Sequence, residues 1–282
     1  MRYLAILSLS LILLVSIFIS ESLRFFDSKM HVVFCDVGQG DAIFIRTPSR
    51  NDILIDGGPD EKVLDCLQNN LPFWDREIDA IFLTHPHADH LTGLTYVLER
   101  YKVKHYLSTG VESKTDIYRK FRELLAKEKL SARDLKAGDR LIFGKNVIFQ
   151  ILWPNQSYLD SWYQGGYGKD PNSTSLVIKA SFGSFDVLFT GDAESEVLSQ
   201  ISLSDVEILK VSHQGSRGAV TPEDLGRIKP EVGIIFVGKN NYGHPSREII
   251  ELLKNANVKT YRTDRDSTVK IETDGKTWSV KK

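Results

Sequence analysis

Ile81-Phe82-Leu83-Thr84-His85-Pro86-His87-Ala88-Asp89-His90-Leu91 sets three imidazoles and a carboxylate within six positions, directly behind an apolar run that reads as a buried strand. Metal binding is the chemistry that best explains such a cluster. Imidazole nitrogen and carboxylate oxygen are the usual ligands of Zn²⁺ and its neighbours, and a loop at a strand end can aim several of them at one point. His85 and His87, two apart in extended chain, project to the same side. Asp89 and His90 fall where Leu91-Thr92-Gly93-Leu94 opens a helical pattern, so they present a second pair in another direction. The spacing predicts two metal ions.

Other candidate ligands stand at strand ends far along the chain. Thr190-Gly191-Asp192 closes an apolar run and puts a carboxylate on the sheet rim, where one aspartate can bridge two ions. Lys210-Val211-Ser212-His213-Gln214-Gly215-Ser216 closes another, and its glycine lets backbone approach a ligand closely. Asn241-Tyr242-Gly243-His244-Pro245 supplies a fifth histidine in such a loop, out of seven in the chain. His31 and His105 lie elsewhere and read as surface or packing residues. Asp36 and Asp41 flank a glycine-rich turn and read as turn-capping carboxylates.

Around these loops, strand and helix patterns alternate. Short β-branched or aromatic runs predict strands at 32–34, 42–45, 53–55, 146–152, 175–180, 186–190, 207–211 and 233–236, with a closing pair at the end. Helical periodicity falls at 62–70, 91–101, 116–129, 193–201, 222–228 and 246–255. The segment 158–172, rich in Gly, Asp and Tyr, reads most simply as a long mobile loop, of a kind that in a minority of cases also covers a substrate. With no Pro- or Ser-rich linker, residues 30–282 read as one α/β domain of two packed sheets flanked by helices.

A chain of 282 residues with 41% hydrophobic content is long enough for that domain and a full core. Its net charge of −1 excludes binding phosphates through a bulk positive field, so any nucleic-acid grip is local. Cys35 and Cys66 read as core thiols, a disulfide between them being the alternative for an exported domain. Residues 1–22 differ in kind: after Met1-Arg2-Tyr3, an uncharged apolar stretch runs from Leu4 to Ser20. It reads as either a cleaved signal peptide, with small residues at Ser20 and Ser22, or a membrane anchor. Arg2 ahead of the apolar run leaves the domain outside the cytoplasm, secreted or held on the outer face of the membrane.

The run from Thr84 to His90 matches the His-x-His-x-Asp-His signature of the metallo-β-lactamase fold. Asp36-Val37-Gly38-Gln39-Gly40-Asp41-Ala42, Ile55-Asp56-Gly57-Gly58, Asn172 with Ser175-Leu176-Val177, Thr190-Gly191-Asp192, His213-Gln214-Gly215-Ser216, Tyr242-Gly243-His244-Pro245 and Tyr261-Arg262-Thr263-Asp264 occur in order. Together they resemble the soluble hydrolase domain of the ComEC/Rec2 competence proteins, over about residues 30–275. The resemblance implies a four-layer αββα sandwich with a dinuclear site at one edge. It assigns His85 and His87 to one ion, Asp89 and His90 to the other, Asp192 as a bridge and His213 as a late ligand. Asp56 corresponds to an aspartate that supports the ligands by accepting their imidazole N–H groups. Two divalent ions, zinc or manganese, are the implied cofactors, and His with Asp suits either.

Two departures stand out. Gln214 occupies a place where relatives commonly carry a second histidine, and the region of Asn172 lacks the extra histidine of many hydrolases of the fold. The second ion is therefore expected to be held more weakly, with Asn172, His244 or water completing its shell. Between two such cations a bridging water becomes an effective nucleophile for an ester. Asp89 and His244 are the candidate catalytic side chains, His244 as donor to a phosphate or leaving group. Asn172, Ser216 and Lys210 are candidate substrate contacts, and Lys210, Arg217, Lys239, Arg247, Arg262 and Arg265 form a local basic set.

The leading expectation is a DNA nuclease or phosphodiesterase. The alternatives are a small-molecule ester, lactone or lactam hydrolase on the same fold and a non-catalytic DNA-binding component. Expected partners are DNA as substrate and the membrane through the first segment. A single hydrophobic segment cannot form a channel, so service to a separate competence channel, scavenging of external DNA and work unrelated to uptake all stay open.

Overall fold

Period-two alternation in β1 (Met30–Phe34) sends Met30, Val32 and Phe34 to one side of a sheet and Val33 to the other, and all four are buried. A strand apolar on both faces needs cover on both, which requires at least three layers. The protein, described here from a computed structural model covering residues 2–25, 27–165 and 170–281, supplies four.

The first sheet contains β1, β2 (Ile43–Arg46), β3 (Asp52–Ile55), β4 (Glu77–Phe82), β5 (Lys102–Ser108) and β6 (Ala132–Asp134) in that order. The second runs β13-β12-β11-β10-β9-β8-β7, where β7 is Arg140–Phe143, β8 Val147–Trp153, β9 Val177–Phe182, β10 Phe185–Phe189, β11 Ile208–Lys210, β12 Val232–Ile235 and β13 Lys259–Arg262. The chain then returns to the first sheet, where β14 (Val269–Thr273) pairs antiparallel with β1, and β15 (Trp278–Lys281) closes the edge.

Between the sheets lies one continuous apolar core. Phe34 packs against Phe189 and Phe236 from the facing sheet, with ring centroids 6.3 and 5.9 Å apart. Rings of this size contribute roughly 1.5–3 kcal/mol each when buried. The outward residues of the first sheet, including Val33, Leu54 and Ile81, are covered by α2 (Lys62–Asn70), α3 (Ala88–Arg100) and α4 (Asp116–Lys127). Val177, Leu188 and Leu209 on the second are covered by further helices. Among these are α6 (Ser195–Leu198), α7 (Pro222–Ile228) and α8 (Arg247–Asn255), which follow α5 (Gln156–Gln164) in the chain. A last short helix, α9 (Thr263–Asp266), caps β13. The αββα sandwich expected from the sequence is the fold observed.

Three expectations are corrected. Cys35 and Cys66 are joined as a disulfide across a Cα separation of 5.8 Å, tying the end of β1 to α2. Two isolated cysteines carry no pairing signal in the sequence, whereas packing α2 on the sheet brings their backbones within bonding range. The stretch 158–172 is not one loop: α5 occupies its first part, with Leu159 and Trp162 buried against Val111, and residues 166–169 lie outside the described residues. Strands β5 to β7 lie outside the strands that the sequence pattern predicts; in β5, Lys102, Lys104 and His105 put exposed polar side chains among the buried ones and hide the alternation.

Preceding the domain, α1 (Arg2–Phe25) contains a 20-residue apolar span, Tyr3–Ser22, none of whose most apolar stretch is buried in the protein. Length and composition suit it to crossing a membrane, and a signal sequence has the same properties.

Candidate metal centre

Parallel pairing decides where the polar loops meet. In the first sheet β3 and β4 run parallel, and in the second β10, β11 and β12 do, so their carboxyl ends open along one edge of the sandwich. Asp56 follows β3, His85 follows β4, Asp192 follows β10 and His213 follows β11. Residues as much as 157 positions apart by number, from Asp56 to His213, are thereby brought to one cleft.

Backbone contact places the first pair. Gly57 N–H donates to the carbonyl of His90 at 2.7 Å and Gly93 N–H to that of Gly58 at 2.9 Å. A Cβ on Gly93 would sit 1.7 Å from the Gly57 oxygen, so only glycine allows α3 to lie this close to the β3 loop. Asp56 itself has φ +58, a conformation that Asp and Asn tolerate best among side-chain-bearing residues. That twist turns its carboxylate back to accept from Thr84 N (2.8 Å), Thr84 Oγ1 (2.7 Å) and His90 Nδ1 (2.7 Å).

These bonds settle the imidazole tautomers. His90 donates from Nδ1 to Asp56, leaving Nε2 as a lone pair. The Thr84 hydroxyl proton is committed to Asp56, so Thr84 Oγ1 can only accept from His85 Nδ1, 3.1 Å away; Ser175 Oγ lies at the same distance. His213 Nδ1 donates to Glu194 Oε1 at 2.8 Å. All three rings consequently turn Nε2 inward. The three Nε2 atoms stand 3.3 Å (His90), 3.8 Å (His213) and 3.9 Å (His85) from a single oxygen, Asp192 Oδ2.

Three lone pairs and a carboxylate oxygen pointed at one another repel unless a positive charge stands among them. His90 Nε2 and Asp192 Oδ1 are buried without a hydrogen-bond partner, and His85, His90 and Asp192 place ligand atoms within 4.8 Å of one another. The donor set therefore fits a divalent cation. The remaining expected ligands border it: His87 Nδ1 lies 3.1 Å from His85 Nε2, and Asp89 Oδ2 lies 3.6 Å from His90 Nε2. A family model described as the metallo-beta-lactamase superfamily matches residues 35–239, more than half of the chain.

The chain belongs to the metallo-β-lactamase superfamily. Membership carries the coarse reading of a metal-dependent hydrolase fold. The chain is 29% identical to ComE operon protein 3 of Bacillus subtilis over 86% of its own length and 33% of the relative's. It is 28% identical to Recombination protein 2 of Haemophilus influenzae over 77% of its length and 26% of the relative's. It thus spans only about a quarter to a third of the curated relatives it matches. Among solved structures, CmlA, a diiron β-hydroxylase from Streptomyces venezuelae, superposes with a TM-score of 0.54 at 15% identity, covering 88% of this chain and 55% of that one. That likeness shows the fold alone.

Charge in this metallo-β-lactamase-fold centre is arranged without metal as follows. Burial holds His85 well below the ordinary imidazole value, helped by neighbouring His90. Burial also opposes a charged His90, yet Asp192, Asp89, Asp56 and Asp41 outweigh it and lift the ring well above its ordinary value. Asp192 is pushed up by burial but held well down by His90 and Lys210, so it stays a carboxylate. Burial disfavours a charged His213, and Glu194 and Asp192 more than compensate. Without metal, the positive charge these carboxylates call for is a second proton on His90 and His213, and a divalent cation bound among the Nε2 atoms would displace those protons and answer the same carboxylates.

Several predicted residues stand elsewhere than expected. Lys210, expected at the substrate, is fully buried beneath the centre; its Nζ pairs with Asp41, donates to the Gly191 carbonyl at 2.6 Å and lies 3.6 Å from Asp192 Oδ1. Asp41 is correspondingly a buried counter-ion and not a turn cap. Ser216, another expected substrate contact, is nearly buried and gives its hydroxyl to Glu194. The basic set is mostly neutralised: Arg217 pairs with Glu248, Arg247 with Glu251 and Arg262 with Asp264. Asn172 and His244 do line the cleft, each with a buried atom lacking a partner, Oδ1 and Nδ1 respectively. The His244 ring lies 5.3 Å from that of His213, and burial, with His213 beside it, lowers its pKa. His31, Asp36 and His105 remain outside the centre.

Sequence reasoning missed Glu194, Asp170 and the glutamine pair. Glu194 follows Asp192 by two residues, the one signal available. Asp170 Oδ1 lies 3.7 Å from His87 Nε2. Gln214 donates to Asp89 Oδ2 at 3.3 Å and accepts from Gln39 at 3.1 Å, so the residue standing in place of a histidine steadies a ligand. His213, Gln214 and Gly215 are consecutive left-handed residues, with φ of 44, 48 and 75. Non-glycine residues there cost on the order of 1–3 kcal/mol each, and such strain gathers where geometry serves a site.

Proposed function

We propose that residues 30–282 form a metal-dependent phosphodiesterase acting on nucleic acid, most simply DNA, outside the cytoplasm. The observation that carries this reading is the convergence of three imidazole Nε2 atoms on Asp192, with Asp89 3.6 Å from one of them, in a partly buried cleft of about 1050 Å³. His85 and His87 would hold one ion, Asp89, His90 and His213 the other, and Asp192 would bridge them. A divalent pair supplies Lewis acidity to a phosphoryl oxygen and a water acidic enough to attack near neutral pH. Zinc and manganese both suit this donor set.

The protein's own groups do the rest. Asp56, Thr84 and Glu194 fix the tautomers. Lys210 holds the Asp192 carboxylate from below. His244 is placed to donate to a phosphate or departing oxygen, Asn172 to meet substrate across the cleft, and Lys239 lines the same wall. Tyr242, 79% exposed beside His244, offers a face on which a base can stack. Likeness to ComE operon protein 3 and Recombination protein 2 supports DNA as the substrate class.

The same reading places the domain on the outer face of a membrane, held by α1 as an anchor. The disulfide fits an oxidising compartment. A link to a separate competence channel is part of the same proposal, supported by the likeness to ComE operon protein 3. Purified full chain, assayed for bound metal and for hydrolysis of single- and double-stranded DNA, RNA and a lactam, tests it. We expect chelator-sensitive nucleic-acid cleavage restored by Zn²⁺ or Mn²⁺. Turnover of the lactam alone would make it a small-molecule ester, lactone or lactam hydrolase, and DNA binding without cleavage would make it a binding component.

A further inference from the structure

We infer that the aromatic pair Phe73-Trp74, in the loop between α2 and β4, is a second contact with the lipid bilayer, one that holds the domain with its metal cleft facing away from the membrane. This rests on the reading of α1 as an anchor.

The Trp74 ring stacks on Phe18 of α1, with centroids 4.7 Å apart and an interplanar angle of 29°. Phe73 meets Trp74 edge-on at 4.8 Å and is 64% exposed, on a domain whose other phenylalanines are buried or partly covered among the described residues. Phe18 stands four residues before the end of the 20-residue span Tyr3–Ser22, which at 1.5 Å per residue is about 6 Å inside the boundary and about 30 Å in all. Trp74 is therefore held at the level where an indole, apolar in body with a polar N–H, prefers to sit. Asp75 and Arg76 follow at once, so the chain turns polar within one residue of the aromatic pair.

Topology then sets the orientation. The loop feeds the amino end of β4, while His85 stands three residues past its carboxyl end. Six strand residues rise about 20 Å. The aromatic loop and the metal centre are thus at opposite ends of the first sheet, and an extended polyanion reaches the cleft without approaching lipid headgroups.

The test uses the full chain in phosphatidylcholine vesicles, with and without bromine on the acyl chains. Trp74 emission is read as the difference between the wild type and Trp74→Phe. We expect bromine to cut that difference about two-fold or more, and Phe73→Ser to reduce the quenching while leaving metal content unchanged. Resistance to an alkaline carbonate wash, measured on the same vesicles, reports α1. A resistant chain whose Trp74 emission ignores bromine overturns the loop contact and leaves the anchor standing. Extraction by carbonate overturns both.

Discussion

The candidate metal centre has a floor and a rim, and they are built differently. His85, His90 and Asp192 form the floor, all but fully buried, each held by bonds from at least one neighbouring element. His87, Asp89 and His213 form the rim, with side chains between 28% and 38% exposed. The floor is fixed by packing before any ligand arrives. The rim relies on hydrogen bonds to Glu194 and Gln214 that water can compete for. Preorganisation is thus concentrated on three residues, and the rim is free to adjust to metal or substrate.

Substitutions grade this contrast from large to small. Asp192→Asn removes the oxygen on which three imidazoles converge, so activity should fall by several kcal/mol of barrier, roughly 10³-fold. A steady-state assay at saturating metal measures it, and a loss under ten-fold would dissolve the floor as a unit. Lys210→Met leaves Asp41 buried and unpaired beneath that floor and should cost about 3–5 kcal/mol of stability by urea denaturation. The double change Lys210→Met with Asp41→Leu should recover much of it, since the Asp41 charge is then gone and Asp192 keeps His90 as its partner.

Asp56→Asn keeps the left-handed backbone but weakens the bond to His90 Nδ1, and about 10- to 100-fold of metal affinity should be lost, read by competition with a chromophoric chelator. Glu194→Gln on the rim should cost less, about ten-fold or below on the same scale, because His213 is part-exposed and water can replace the carboxylate. Equal losses at Asp56 and Glu194 would erase the distinction between floor and rim.

Legibility from sequence follows the same division. His85, His87, Asp89 and His90 are legible because they are contiguous and ordered by one strand and one helix start. Asp192 and His213 are legible as strand-end ligands only in the company of that cluster. Lys210 misleads: its place beside His213 suggests a phosphate contact, but parity along β11 turns its side chain into the protein, where Asp41 meets it. Glu194 and Gln214 carry no motif, since what they do depends on the position of a ring that another loop supplies. The cysteine pairing is hidden for the same reason, Cys35 and Cys66 being 31 residues apart with no local signal.

Local chemistry written along the chain was enough to determine the layers, the apolar first segment and the cluster of four candidate ligands in the early loop, because alternation, periodicity and adjacent side chains act over a few residues. Tertiary structure alone decided which nitrogen of each imidazole faces inward, which lysine is buried and which cysteines are joined. Those depend on distances between elements far apart in sequence, and only the parallel strand order and the packing of the two sheets set them.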